Sequence, residues 1–381
     1  MTIQILHQVG HNSNWNVDSF QQDNCGDGLI LSPLHQTRAA VESLSPTTRS
    51  ASMFDPQFYL PSSRKPKLQT YPFFPEVIEG GFQTSTFTAH SAGIAVACIE
   101  FQRNMGFRSI VVPTRFLDEL YTDYVDRQRR FTVDAFMEAA AGKTVCLSVA
   151  VTAAMIEDEG FRSRFLNWVT SFPNVEEVYL MYQHTRDTKQ IQDAAYLKAC
   201  ISFFAEIVGS GLKLVVGYTN VEGLLFATAI DLTITMGSFE NTRIFSVDKF
   251  LESEGERRGP KARIYLAGLL NWVQFQDAKT IQTRAPEIWN AIYEPTEFAD
   301  SALALKVEPT FNQPQLYKHF FKNMHDHISS LKPLSLQERR LDLLERLRRA
   351  RLLYSQLREK GIELEKHGRG GHIDAWLNAL L

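Results

Sequence analysis

The stretch Thr144–Tyr182, TVCLSVAVTAAMIEDEGFRSRFLNWVTSFPNVEEVYLMY, decides the fold. It begins with the apolar run Thr144–Val151, ends with a second, Val175–Tyr182, and carries helical sequence between them at about 153–172. Two strands joined through a helix pair in parallel by a right-handed crossover, because the helix returns the chain to the end of the sheet it started from. Apolar runs of this kind, with little polar alternation, suit strands covered on both faces.

The same unit recurs in both directions. Before it stand Asp27–Pro33, Ser50–Pro56 and Ser109–Arg115; after it come Leu212–Tyr218, Asp231–Gly237 and Arg263–Leu270, which makes eight runs. Helical segments are expected at about 35–45, 87–105, 116–141, 187–210, 220–229, 246–254 and 273–292. Eight alternating units predict an α/β protein, a single (βα)8 TIM-like barrel over 27–294, for which about 250 residues are typical. An open doubly wound sheet would carry a Gly-rich turn after its first strand, where this chain has Ser32, Pro33, Leu34 and His35. Residues 1–26 read as an N-terminal arm and 295–381 as a helical C-terminal extension.

Two segments stand out from the repeat. The connection 57–87 is too long for a simple βα loop, and it carries Phe58, Tyr59, Tyr71, Phe73, Phe74 and Phe82. Its length marks it as a lid or binding loop, and its aromatic content argues for order. In the extension, Ser335 and Glu338 form a capping-box signature, and Gly361 is a natural stop. Between them Leu336, Leu343, Leu347 and Tyr354 lie near heptad spacing, with Leu341, Leu344, Leu353 and Leu357 widening the stripe. Such a helix packs on something, either the barrel or a protein partner reached through 335–381.

Composition excludes several classes. The 381 residues are 44% hydrophobic with a formal net charge of −3, which gives no global attraction to nucleic acid or an anionic membrane. No apolar stretch approaches about 18 residues, and the N-terminus lacks a secretory layout, so a cytoplasmic protein without membrane association is expected. Cys25, Cys98, Cys146 and Cys200 lie far apart, whereas a structural zinc site normally shows a close pair; no metal site is expected. No cofactor is readable.

In a βα barrel the reacting groups come from the carboxyl ends of the strands. Asp55 is the first candidate, because an apolar strand delivers it, Pro56 ends the strand, and flanking aromatics would desolvate it and raise its pKa toward that of an acid or base. Gln57 follows it. Arg115 and Arg243 come directly after apolar runs and are placed to grip a phosphate or carboxylate. His184, Asn220, Ser238 and Asn241 follow other runs and complete the substrate-binding set. The seven residues Gly237–Arg243 sit where barrels often bind phosphate.

Met53–Tyr59 and Asp231–Arg243 resemble two segments of the tRNA-guanine transglycosylase-like barrel superfamily, whose members exchange a base in a nucleic acid. The resemblance implies that Asp55 reads or deprotonates a base and makes Asp231 the nearest carboxylate to the nucleophile position, which by layout falls near Thr233 or Ile234. That family's closely spaced zinc cysteines have no counterpart here. Three readings follow. The first is a barrel acting on or binding a nucleoside, nucleotide or nucleic acid, with base exchange or N-glycosidic chemistry as its reaction. The second is a catalytically degenerate barrel serving as the binding subunit of a multiprotein assembly, for example in defence. The third is a flavin- or phospho-sugar-dependent enzyme.

Overall fold

The computed structural model describes residues 2–59, 62–63, 65–74, 82–83, 87–184, 189–247 and 259–381. Eight parallel strands form a nearly closed barrel: β1 (Gln4–Gln8), β2 (Leu29–Leu31), β3 (Met53–Phe54), β4 (Ile110–Pro113), β5 (Val145–Val151), β6 (Val175–Tyr182), β7 (Lys213–Gly217) and β8 (Thr233–Gly237). They are ordered β3-β2-β1-β8-β7-β6-β5-β4. At the remaining seam, between β3 and β4, the Arg108 N–H donates to the Ser52 carbonyl at 3.0 Å.

The barrel is the expected one with a different first strand. Gln4–Gln8 is not part of an arm: it pairs with β8 from Gln4↔Thr233 to Gln8↔Gly237, and with β2 through His7↔Leu29 and Gln8↔Ile30. Its polar residues hid it, yet each has a place inside. Gln8 points into the lumen, where it accepts a hydrogen bond from Tyr179 on β6 across the barrel. His7 points outward to Asn16 and the Cys25 carbonyl. Conversely, Arg263–Leu270 is not a barrel strand. Arg263–Leu266 (β9) and Asn271–Gln274 (β10) make a separate antiparallel hairpin, reversed through Leu270 in a left-handed conformation.

Helices cover the strands as the crossovers require. Phe87–Met105 (α1) follows the long connection, Ala194–Gly209 (α2) follows β6, and Gly223–Ala229 (α3) follows β7. The segment 116–141 resolves into Tyr124–Gln128, a π-turn at Arg129–Val133, and Asp134–Ala139. Most of the helix expected at 246–254 lies outside the described residues. In the long connection, Phe58, Tyr59, Tyr71, Phe73 and Phe74 are all buried, and Phe54 of β3 packs on Tyr71 and Phe73.

The C-terminal part belongs to the barrel wall. Pro314–Leu331 (α4) lies against β1 and the helix Asn14–Gln21, the place an eighth barrel helix would take. Leu336–Glu359 (α5) starts with the expected capping box and packs on α3, while His372–Leu380 (α6) packs on α2. Leu343, Leu347, Leu353 and Leu357 of α5 are buried; Leu336 and Leu341, counted in the stripe, are exposed instead. Arg339 of α5 pairs with Asp231 at 2.7 Å, and Trp376 of α6 donates to the Ile191 carbonyl at 2.9 Å. No helix among the described residues is long and apolar enough to cross a membrane.

Because α5 shares its buried face with the barrel, Leu347→Ala is expected to destabilise the whole chain. The cost should be about 2–5 kcal/mol, the usual range for a buried Leu→Ala change. Urea unfolding followed by far-ultraviolet circular dichroism and by tryptophan fluorescence should then give one shared, shifted transition. Two separated transitions would show a tail that folds apart from the barrel.

Candidate functional site

The strand alternation sorts the lumen into layers. At the amino end, Arg108 pairs with Glu177 at 2.5 Å and reaches Gln4, plugging the barrel floor. The depression of about 610 Å³ on that face is lined partly by this pair. Its position, opposite the strand ends that carry chemistry in this architecture, marks it as structural. Above the floor, Tyr179 lies across Gly217, where a Cβ would come within 2.5 Å of the ring. Only glycine there lets a tyrosine cross the lumen.

Over Tyr179 sits a buried polar layer centred on Asp55, a residue 1% exposed. Asp55 leaves the end of β3 pointing inward, level with Ser32 after β2. The Gln57 backbone N–H donates to its Oδ1 at 3.0 Å, and the Tyr59 hydroxyl donates to Oδ2 at 2.9 Å. Tyr59 lies 3.0 Å, oxygen to oxygen, from Tyr218 at the end of β7. Since the Tyr59 proton goes to the carboxylate, Tyr218 is the donor in that second bond. Gln57 braces both phenols, its amide nitrogen 3.2 Å from Tyr59 and 3.5 Å from Tyr218, while the Ser32 hydroxyl holds its oxygen at 2.6 Å.

Burial pushes the Asp55 carboxyl up to about 7, against the pull of its donors Gln57 and Tyr59 and of the facing Tyr179 hydroxyl. Burial and the neighbouring carboxylate also raise the phenols of Tyr59, Tyr179 and Tyr218, which stay protonated donors. Gln57 and Tyr218 both adopt left-handed backbone conformations, with φ of 59° and 56°. For residues with a long or aromatic side chain this costs on the order of 1–3 kcal/mol each and tends to collect at functional sites.

Two features meet the mouth above this layer. Phe245, beyond β8, bridges back to Gln183 at the end of β6 and sets its ring 5.5 Å from Tyr59 and 5.3 Å from Tyr218. Beside it opens a cavity of about 410 Å³, with Tyr218 and Asn241 on its wall.

The structure brings Asp55 and Gln57 together and sets Asn241 nearby, but it sends the other expected residues elsewhere. Asp231 precedes β8 and therefore lies at the amino end of the barrel, bound to Arg339, so it does not share a site with Asp55. Arg115 turns outward to stack 4.1 Å from the centre of the Phe131 ring, and burial lowers its pKa. Arg243 is buried 4.1 Å over the Trp272 ring, which pins the β9–β10 hairpin to the barrel; burial draws its pKa down to about 10. His184 rests on Tyr196, its ring 4.3 Å away. Asn220 donates to the Lys189 carbonyl at 3.1 Å, and Ser238 donates to Asn16 at 2.9 Å. Asp55, Asn220 and Arg243 thus occupy one end of the barrel without converging.

Sequence patterning offers Ser32 and Tyr218 as strand-end residues but does not join them to Gln8, Tyr59 and Tyr179 as one set. The usable signal was a polar residue at or just after most strand ends, together with Gly217 directly before Tyr218. Among the described residues no cluster of three metal-ligating side chains occurs. Comparison with protein-family models, with curated proteins and with solved structures finds no match.

The raised pKa carries a sign. Native Asp55 holds its proton more tightly than the unfolded chain, so its contribution to stability is complete below pH about 4 and is lost as pH rises through 7. Asp55→Asn cannot ionise. Its stability relative to the wild type should therefore improve between pH 4 and 8, by on the order of 4 kcal/mol at most. Denaturant midpoints across that range measure it, and parallel pH profiles would mean that Asp55 ionises in the barrel without penalty.

Proposed function

We propose that the barrel mouth receives a nucleoside or nucleotide and that Asp55 exchanges a proton with it through Tyr59 and Tyr218. The observation that carries this reading is the unbroken chain of hydrogen bonds from a lumen-buried carboxylate to a tyrosine on the wall of the mouth cavity. With Asp55 ionised, both phenol protons point toward it. A ligand N–H or O–H proton passes to the Tyr218 oxygen, the Tyr218 proton to Tyr59, and the Tyr59 proton to Asp55, which ends neutral while the ligand ends with the negative charge. The reverse transfer protonates a leaving atom. A carboxyl poised near 7 works in either direction at neutral pH.

Base exchange of the transglycosylase kind would also need a nucleophile at this mouth, and the nearest one suggested by the sequence, Asp231, sits at the other end. Proton transfer at the base or a hydroxyl is the part of that chemistry for which the site is equipped. A second reading, a barrel that binds without catalysis, is favoured by the ring of Phe245 lying over both tyrosines.

Native mass spectrometry of protein from its own host should retain a nucleoside- or nucleotide-sized mass, and the recovered compound then serves as substrate. Asp55→Asn should keep that mass while lowering turnover by about 10²–10⁴-fold, the usual worth of a positioned acid or base. Tyr218→Phe breaks the relay and should lower turnover similarly. A retained flavin, or a ligand converted equally well by Asp55→Asn, would discard the proposal; a stable protein partner and no small molecule would establish the second reading.

A further inference from the structure

The helix α5 carries two stripes, and the barrel uses one of them. Leu343, Leu347, Ala350, Tyr354 and Leu357 make its buried face. On the opposite side Leu341, Glu345, Arg348 and Leu352 follow one another at steps of four, three and four residues, the spacing that keeps side chains in line along a helix and forms the seam of a helix pair. All four are exposed, Leu341 and Leu352 at 58% each. Leu341 belongs to the leucine stripe read from the sequence, yet the barrel takes up neither it nor Leu352.

Several neighbouring charges are already engaged. Arg346 pairs with Asp342 at 2.8 Å, Arg351 pairs with Asp374 of α6 at 3.2 Å, and Arg340 donates to the Leu380 carbonyl. Glu345 and Arg348, in the middle of the stripe, make no ion pair among the described residues. Their order matters. Two antiparallel helices set a residue before the midpoint of one against the residue equally far beyond the midpoint of the other. With the midpoint between Arg346 and Leu347, Leu341 of each copy meets Leu352 of the other, and Glu345 meets Arg348. The stripe is its own complement under a two-fold rotation, which is what an isologous dimer requires. A nucleic acid would meet the carboxylate of Glu345 on the same face.

We propose that the outer stripe of α5 is a self-association surface, on which a second copy of this chain docks antiparallel, covering Leu341 with Leu352 and pairing Glu345 with Arg348. This is independent of what the barrel mouth binds. A single helix pair buries less than the roughly 1,600 Å² of a standard interface, so the dimer is reversible and concentration-dependent.

Sedimentation equilibrium of the full chain across micromolar concentrations tests it. The wild type should dimerise, less tightly as salt is added. Glu345→Arg alone and Arg348→Glu alone each set like charges face to face, and each should weaken the dimer by about tenfold or more. Glu345→Arg combined with Arg348→Glu in one chain exchanges the signs and should restore it. Mixing the two single variants should also restore it, because a mixed pair again opposes unlike charges, and this recovery shows that both variants are folded. A wild type that stays monomeric, a dimer indifferent to the single variants, or single variants that fail to pair on mixing overturns the proposal. A monomeric wild type that instead binds a labelled single-stranded oligonucleotide, with binding lost in Arg348→Glu, also overturns it and assigns the face to nucleic acid.

Discussion

A parallel sheet can become a barrel only if its first and last strands meet, and here that contact rests on five residues. Gln4–Gln8 aligns with Thr233–Gly237 along its whole length. The seam is locked from outside by a buried relay in which Ser238 holds Asn16, Asn16 meets His7 Nδ1, and His7 Nε2 donates to the Cys25 carbonyl. Burial lowers the pKa of His7 to about 4, so the ring stays neutral and can accept and donate at once. Phe321 of α4 covers the ring edge-on. The joint therefore adds directed side-chain hydrogen bonds to its backbone pairing.

Closure in turn makes a lumen in which polarity rises from one end to the other. An ion pair plugs the floor, Tyr179 spans the middle, and the carboxyl end holds a carboxylate with a chain of phenols. Burying a carboxylate is costly unless donors meet it, and two backbone-strained residues, Gln57 and Tyr218, are held in place partly to supply and brace those donors. A barrel needing only stability would fill this layer with aliphatic side chains. The proposed proton transfer rests on this buried polar layer.

The C-terminal segment is bound into the same design. Its hairpin reaches the mouth through Arg243 and Trp272, α4 lies against β1, and α5 ties down the amino end of β8 through Arg339 and Asp231. A residue that resembled a nucleophile in sequence is in this setting an anchor. The arginine-rich appearance of α5 has a similar origin, since Arg339 is buried in that anchor, while Arg346 and Arg351 pair with Asp342 and Asp374.

The sequence by itself determined the strand–helix repeat, the barrel class, and the delivery of Asp55 to a strand end among aromatics, because burial on two faces writes itself locally as apolar runs and breakers. It also marked the capping box that starts α5. Tertiary structure alone decided which run closes the barrel. Gln4–Gln8 is rich in polar residues whose partners lie on other elements, Tyr179 for one and Asn16 for another, and no local pattern announces such partners. It also decided where each strand-end residue points. Asp231, Arg115 and Arg243 share with Asp55 a place beside an apolar run, but an amino end differs from a carboxyl end, and inward from outward, only once the strands are wound into a cylinder.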